Sequence, residues 1–347
     1  MAITIEKQVE LSSYTTMGVS AKAQYVARIN SVGALVEALN WAKNNKVGIL
    51  VLGGGSNVLL PRYFEGLVLL VGLKKKDIIH EDEYSVELLI GAGENWHEMV
   101  EWTVEKGWIG LENLALIPGS VGAAPIQNIG AYGVEVEEYI TSVQYLHVET
   151  LDLIWIDRDK CNFAYRNSIF KDELKNKAII TEVQFKLPKN AQLRTDYESL
   201  GYFFSQHGIH NPSQQQLFDA VIQVRQSRLP DIQTQGSCGS FFKNPLLPSE
   251  QIDRLSTRFP DIKTYPMPGG YTKVAAGWLI DKAVGKGFRK GQVGTYEQQA
   301  LVIVNHGGAS GDEICEFASL IHSKVLEMFK ISLEAEVQII SKNSKDI

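Results

Sequence analysis

Cysteine is scarce. The chain of 347 residues holds three, Cys161, Cys238 and Cys315, an odd number set far apart. They make neither a disulfide framework nor a zinc pattern, so the chain is expected in a reducing cytoplasm. Long apolar runs are missing as well. The longest, Leu67 to Leu73, is far short of the roughly 18 residues that suggest a membrane span, and Met1 to Lys7 lacks the apolar stretch of an export signal. Nor is there a basic excess: 34 Lys and Arg are scattered against 40 Asp and Glu, for a net charge of −6. No basic stripe offers itself to nucleic acid. The histidines, His97 among them, show no metal-ligand spacing.

The chain does have the length of two or three compact units and the composition of an ordinary globular protein. Its first third alternates strand and helix signals. Ala23 to Ile29 reads as a strand, and Ser31 as the N-cap of a helix carrying Leu35, Ala38, Leu39 and Ala42 at helical spacing. Strands follow at Val47 to Leu52, Leu67 to Val71 and Ser85 to Ile90, then a helix over Glu94 to Glu105. From Ser142 to Leu187 strand signals dominate. Residues 189–215 are polar and read as an inserted loop. A helix through Leu217, Val221 and Val224 precedes Leu229-Pro230, where the character changes to a Gly/Pro-rich tract. A helix (Ala275 to Ala283), a strand (Ala300 to Asn305), a long helix (Gly311 to Phe329) and a strand (Leu333 to Ile340) complete the chain.

Two loops stand out. Gly53-Gly54-Gly55-Ser56-Asn57 follows a strand, and a turn of this kind presents free N–H groups that can cradle a pyrophosphate. A tight turn between two strands explains it as well. No Lys-Ser or Lys-Thr follows, which excludes a P-loop, and Gly91-Ala92-Gly93 has Trp96 where a Rossmann fingerprint needs its third glycine. The second loop, Ile117 to Gly133, packs small residues, two prolines and several amides into a stretch without period. Few of its backbone groups can pair in regular structure, so something else must order it. A structural Ω-loop is the plain alternative.

LGGGSNVL (52–59), GAGENW (91–96), residues 111–133, AYRNSIF (164–170), GSFFKNP (239–245), AAGWLID (275–281), QQALVIVN (298–305) and LEAEV (333–337) occur in one order along the chain. In this set the chain closely resembles the UDP-N-acetylenolpyruvoylglucosamine reductases, in the longer of that family's two forms. The resemblance implies an α+β fold: an FAD-binding region of the vanillyl-alcohol-oxidase type made of two subdomains, then a C-terminal α+β substrate-binding domain. The expected limits are 1–66, 67–229 (with the insertion at 189–215) and 230–347. It further implies FAD held without a covalent bond, NADPH as co-substrate, UDP-N-acetylglucosamine-enolpyruvate as substrate, and a monomer. The residues it implies for FAD are Gly53, Gly54, Gly55, Ser56, Asn57, Pro118, Gly119, Ser120, Gly122, Ala123, Gln127, Gly130, Ala131 and Tyr132.

The implied reaction reduces an enol ether conjugated to a carboxylate, with hydride passing from NADPH to the flavin and on to the β-carbon. Negative charge then builds at the α-carbon and carboxylate, which calls for electrostatic stabilisation and a proton donor. Arg166 suits the first task, since a guanidinium can grip a carboxylate with two prongs; its plain alternative is a surface arginine. Ser240, in a short turn after Gly239, suits the second; any lone serine could equally be a turn or cap residue. Glu336 lies among apolar neighbours and is expected buried, hence protonated or paired. Glu334 is its rival on the same strand face; the family pattern selects Glu336, although Ala335 stands where proline is common.

Tyr197, in the insertion, is implied to close over the nucleotide, and Arg228, where the family often has lysine, to contact phosphate. Lys243, Asn244 and Gln299 match positions lining the substrate pocket. Cys238 is read as an oxidisable thiol beside the site or as a small buried filler. Two other readings compete: a flavin oxidase of the same fold acting on a sugar or alcohol, and a non-catalytic sensor of nucleotide sugar or flavin.

Overall fold

The structure, a computed structural model, describes residues 3–340. Seven α-helices lie among them: α1 (Val32–Asn45), α2 (Trp96–Glu105), α3 (Glu198–Gln206), α4 (Gln214–Gln226), α5 (Ser249–Arg258), α6 (Ala276–Ala283) and α7 (Gly311–Phe329). Their ends follow the sequence chemistry. The Ser31 hydroxyl accepts from Ala34 N at 3.1 Å and starts α1, which ends at Lys46 in a left-handed cap. Asn95 caps α2, and Ser310 with Glu313 forms a reciprocal capping box on α7.

The first sheet pairs Ile5–Glu10 antiparallel with Lys22–Ile29, which runs parallel to Tyr63–Val71 and then Gly48–Leu52. Leu35, Ala38, Leu39 and Ala42 of α1 are buried on a small core with Ala27, Leu67 and Leu69, as the helical spacing predicts. The second sheet is antiparallel throughout, in the order Leu153–Asp157, Ile140–His147, Ala178–Pro188, Ser85–Gly91, Lys76–Glu81. Its own core gathers α2, α3 and α4 around Trp96, Phe185 and Leu217. The C-terminal part builds a sheet of Gly236–Ser240, Val302–Asn305, Val293–Thr295 and Arg289–Lys290, against which α7 packs with α6 beside it, and a smaller one at Leu246–Pro248, Tyr271–Val274 and Thr264–Met267.

Four expectations change. The strand Tyr63–Val71 runs through the break expected at residue 66, because its apolar run is shared along one sheet rather than divided between two. The insertion at 189–215 is not all loop: Leu200 and Phe204 fall four apart, are buried, and drive α3 onto α4. The Gly/Pro-rich tract beyond Leu229 contains α5, which the sequence reading left out. The last strand shrinks to Gln338–Ile339, because residues 333–337 pair irregularly with Phe241–Lys243, through a single bridge at Ala335. Residues 341–347 of the expected C-terminal domain lie outside the described residues.

Candidate active site

The two singled-out loops meet backbone to backbone. A Cβ on Gly53 would come within 2.2 Å of Ser120 Oγ, and one on Gly54 within 2.6 Å of Gly119 Cα. Only glycine permits so close an approach. Gly55 adds a positive φ of 60° against the Tyr14 carbonyl. Side chains lock the pair: Ser56 Oγ donates to Pro118 O at 2.9 Å and Asn57 Nδ2 to Gln127 Oε1 at 2.8 Å. Among the described residues the amides of Gly54, Gly55 and Ser56 donate to no backbone group. The loops face a cleft of about 450 Å³ also lined by Trp96, Phe170, Lys171 and Glu336. An anion-receiving nest of amides that opens into an apolar-walled cleft of this volume fits a dinucleotide cofactor. Gly53, Gly54, Gly55, Ser56, Asn57, Pro118, Ser120, Gly122, Ala123 and Gln127 line that cleft. Gly130, Ala131 and Tyr132 form the adjoining turn, on the side of Arg166.

Arg166 sits at the tip of a tight turn closed by reciprocal hydrogen bonds between Ala164 and Asn167. Its φ of 54° is left-handed, a conformation that costs a non-glycine residue roughly 1–2 kcal/mol. Three anchors offset that cost. Nη2 donates to Gly130 O at 2.8 Å, Nη1 lies 3.4 Å from Asn128 O, and Nε forms an ion pair with Glu336 Oε1 at 3.0 Å. Glu336 is held in turn by its backbone: its N–H donates to Phe241 O at 2.9 Å, and its carbonyl accepts from Asn57 Nδ2 at 3.2 Å. Burial raises the Glu336 pKa, and Arg166, Lys171 and Lys243 only partly counter it. The glutamate is thus paired and also biased towards its protonated form.

Ser240 ends the strand Gly236–Ser240, where Gly239 at φ 67° makes a bulge. It immediately precedes Phe241, the residue bonded to Glu336. Its hydroxyl has no hydrogen-bond partner among the described residues. Glu334, the rival carboxylate, instead pairs with Lys243 Nζ at the surface. Cys238 is buried, its thiol donating to Val58 O at 3.3 Å and pushed up to about 12 by desolvation, so it is an inert filler.

Of the residues expected at the substrate, Asn244 Oδ1 accepts from Ala276 N at the start of α6, and Asn244 also bonds Tyr165. Gln299 lies against Gly277 of the same helix. Tyr197 leads into α3 with its ring edge-on to Tyr132, centroids 5.3 Å apart. Arg228 lies near enough to Tyr132 and Tyr265 to draw their phenols down, against the burial that raises both.

The motif reading missed several residues. Asn128, fully buried, bonds Glu135 and Glu137 and so shapes the turn that grips Arg166. Lys171 donates to Arg166 O at 3.2 Å; burial and Lys243 lower its pKa. Lys273 stands over the Tyr165 ring at 5.2 Å. His97 Nδ1 accepts from Leu116 N at 3.1 Å, which pins the left-handed Leu116 (φ 56°) at the entrance to the second loop. The GAGENW motif ends at Trp96, one residue short of His97.

Among the described residues no group of His, Cys, Asp and Glu is arranged for a metal, and no helix is long and apolar enough to cross a membrane. A family model described as an FAD binding domain matches residues 23–150, which hold both glycine-rich loops. The fold is the α+β FAD-binding type of the vanillyl-alcohol-oxidase class with a separate C-terminal α+β domain, and with this cleft it defines a flavoprotein oxidoreductase. A second model, of the UDP-N-acetylenolpyruvoylglucosamine reductase C-terminal domain, matches residues 231–340. Reductases of that name are similar to the chain over almost its whole length. That of Paraburkholderia phymatum is 44% identical across 94% of this chain and 95% of its own. That of Flavobacterium johnsoniae is 42% identical across 97% and 99%. The chain belongs to the UDP-N-acetylenolpyruvoylglucosamine reductase family. The solved reductase from Thermus caldophilus shares the fold at a TM-score of 0.67 and 23% identity, over 98% of this chain and 100% of that one.

Proposed function

We propose that the chain reduces UDP-N-acetylglucosamine-enolpyruvate to UDP-N-acetylmuramate at the expense of NADPH, in the synthesis of peptidoglycan precursors. We further infer that it acts as a cytoplasmic monomer. FAD, held non-covalently by the two glycine-rich loops, supplies the two-electron transfer from NADPH to the substrate double bond. Arg166 and Glu336 bind the substrate carboxylate and stabilise the charge that spreads onto it as the β-carbon is reduced. Ser240 delivers a proton to the α-carbon. Lys243, Asn244 and Gln299 hold the sugar nucleotide, with Arg228 on its phosphates and Tyr197 closing over it.

One observation carries this reading. The Glu336 backbone bonds Phe241, next to Ser240, while its carboxylate bonds Arg166 and its carbonyl meets Asn57 of the glycine loop. Residues far apart in sequence are thereby linked to Glu336, which with Asn57 lines the cleft. A Glu336 biased towards protonation can donate a hydrogen bond to a carboxylate that Arg166 grips, which two like charges would forbid.

The test separates the half-reactions. Purified protein should be yellow, bleach anaerobically with NADPH, and regain colour on addition of UDP-N-acetylglucosamine-enolpyruvate. Ser240→Ala should bleach at the normal rate and lose most of the recovery. A colourless protein overturns the flavoenzyme reading, fast recovery with oxygen alone favours an oxidase, and unaltered recovery in the variant removes Ser240 from its role. Size-exclusion chromatography tests the monomer.

A further inference from the structure

Most arginines engaged near this face have a carboxylate partner: Arg158 meets Glu137, Arg166 meets Glu336, and Arg194 meets Glu138. Arg225 does not. It stands in the last turn of α4. Its guanidinium meets the Tyr132 hydroxyl, and its Nε is sealed from solvent without a hydrogen-bond partner. The whole residue is only partly covered, so the closed Nε is a feature of this one atom. No carboxylate of the described residues makes an ion pair with it. The charge acting on it is Arg166, of the same sign.

A guanidinium stays ionised in a protein, and a buried charge is tolerated where something pairs it. A strut between α4 and the 128–133 turn would not require an arginine. A Met or Gln of similar reach could touch Tyr132 without bringing a second cation beside Arg166. Burial lowers the Arg225 pKa, and Tyr132 opposes this through its hydroxyl. The balance is that of a cation whose counter-charge arrives from outside the chain. Arg228, one turn further along the chain, is exposed and able to meet phosphate at the cleft edge. Arg225 is less exposed and lies within electrostatic reach of Arg166.

We propose that Arg225, oriented by Tyr132, is a second electrostatic stabiliser of the site, receiving an anionic oxygen on a delocalised system that gains charge during reduction. Two bound groups have that chemistry, the flavin ring of the reduced cofactor and the enolpyruvyl carboxylate of the substrate. The inference rests on the flavoenzyme reading above and adds a residue to it.

The experiment compares the FAD-loaded wild type with Arg225→Gln and Arg225→Met. Anaerobic dye equilibration gives the flavin midpoint potential, and perturbation of the oxidised flavin spectrum gives the Kd for UDP-N-acetylglucosamine-enolpyruvate. If Arg225 faces the flavin, the potential shifts to more negative values in both variants and Kd holds. If it faces the substrate, Kd weakens on the order of tenfold to a hundredfold, the range of a lost charge-assisted hydrogen bond, and the potential holds. Either pattern, or both together, supports the proposal. Variants that keep FAD with both quantities at wild-type values overturn it and leave Arg225 a strut. The Met variant guards against misfolding, because an apolar stem of similar reach keeps the contact with Tyr132 while removing the closed, unpartnered Nε, so the melting temperature of the apoprotein should hold or rise. A lowered apoprotein melting temperature in that variant counts against the proposal. A wild type that binds no FAD defeats the flavoenzyme reading instead, which is a separate result.

Discussion

Arg166 carries two demands at once: it must pair Glu336 in the resting site and still offer prongs to an arriving carboxylate. Geometry reconciles them, since Nε faces Glu336 and Nη1 and Nη2 each direct one N–H at a main-chain oxygen of the neighbouring turn, which leaves a second N–H on each. Lysine in its place keeps the charge but has no fork. Arg166→Lys is therefore expected to bind FAD and bleach with NADPH normally, while flavin reoxidation by substrate slows by about 10²–10³, the scale of one lost oxyanion donor. Stopped-flow absorbance of the two half-reactions checks this. At this scale the sequence was legible where a motif surrounded the residue. GSFFKNP and AYRNSIF single out Ser240 and Arg166, but nothing local joins Arg166 to a glutamate 170 positions onward. Lys171, Asn128 and Arg225 were invisible because each acts through burial and neighbours, which a lone Lys, Asn or Arg does not advertise.

At the scale of elements, the clip between α2 and the second loop makes the cofactor cradle sensitive to pH. The His97 ring stacks on Phe218 of α4, centroids 5.7 Å apart, and its Nδ1 must stay unprotonated to accept from Leu116. Burial lowers its pKa and Arg225 on α4 adds to this, while Glu101 and Glu98 on α2 pull the other way. A histidine held below its unfolded value stabilises the fold fully above roughly pH 6.5 and loses that contribution as pH falls further. FAD retention should therefore decline below pH 6.5. His97→Asn, whose amide oxygen can take the same hydrogen bond, should flatten the decline, whereas His97→Leu should weaken FAD binding at every pH; fluorescence of released flavin during acid titration measures both. The helical spacing in the sequence marks α1, α2, α4, α6 and α7, and Ser31 marks the start of α1, whereas α3 and α5 stand unmarked. The 189–215 segment misled because its polar residues mask a short amphipathic repeat of Leu200 and Phe204 that only α4 reveals.

At the scale of the molecule, one core crosses the expected limits at 66 and 229. Leu11, Met17, Val19 and Phe64 pack in one core with Phe241, Val274, Phe317 and Ile321. Hydrogen bonds stitch the same seam: Thr16 Oγ1 to Ser237 O at 2.6 Å, and Asn305 Nδ2 to Met17 O at 3.1 Å. The C-terminal domain borrows part of its interior from the first seventy or so residues. A fragment beginning at Asp231 is expected to lack cooperative melting and to bind a hydrophobic dye. In the intact protein the seam should give the first sheet and the C-terminal domain a common calorimetric transition. Two separate transitions for these parts would contradict the shared core. Composition marked the change of character at Leu229-Pro230, but a core assembled from both chain ends leaves no local signature.

The parallel pairing of Val58–Leu59 with Gln338–Ile339, beside the bond from Asn57 to a residue 279 positions later, sets an order in time. A ribosome adding about 5–20 residues each second takes on the order of a quarter of a minute to a minute to cover that distance. Until then Leu11, Met17 and Phe64 lack the Phe241, Val274 and Phe317 side chains with which they share a core. The cleft is closed on this side only once residues 334–338 have been made and have reached the Gly53–Asn57 loop.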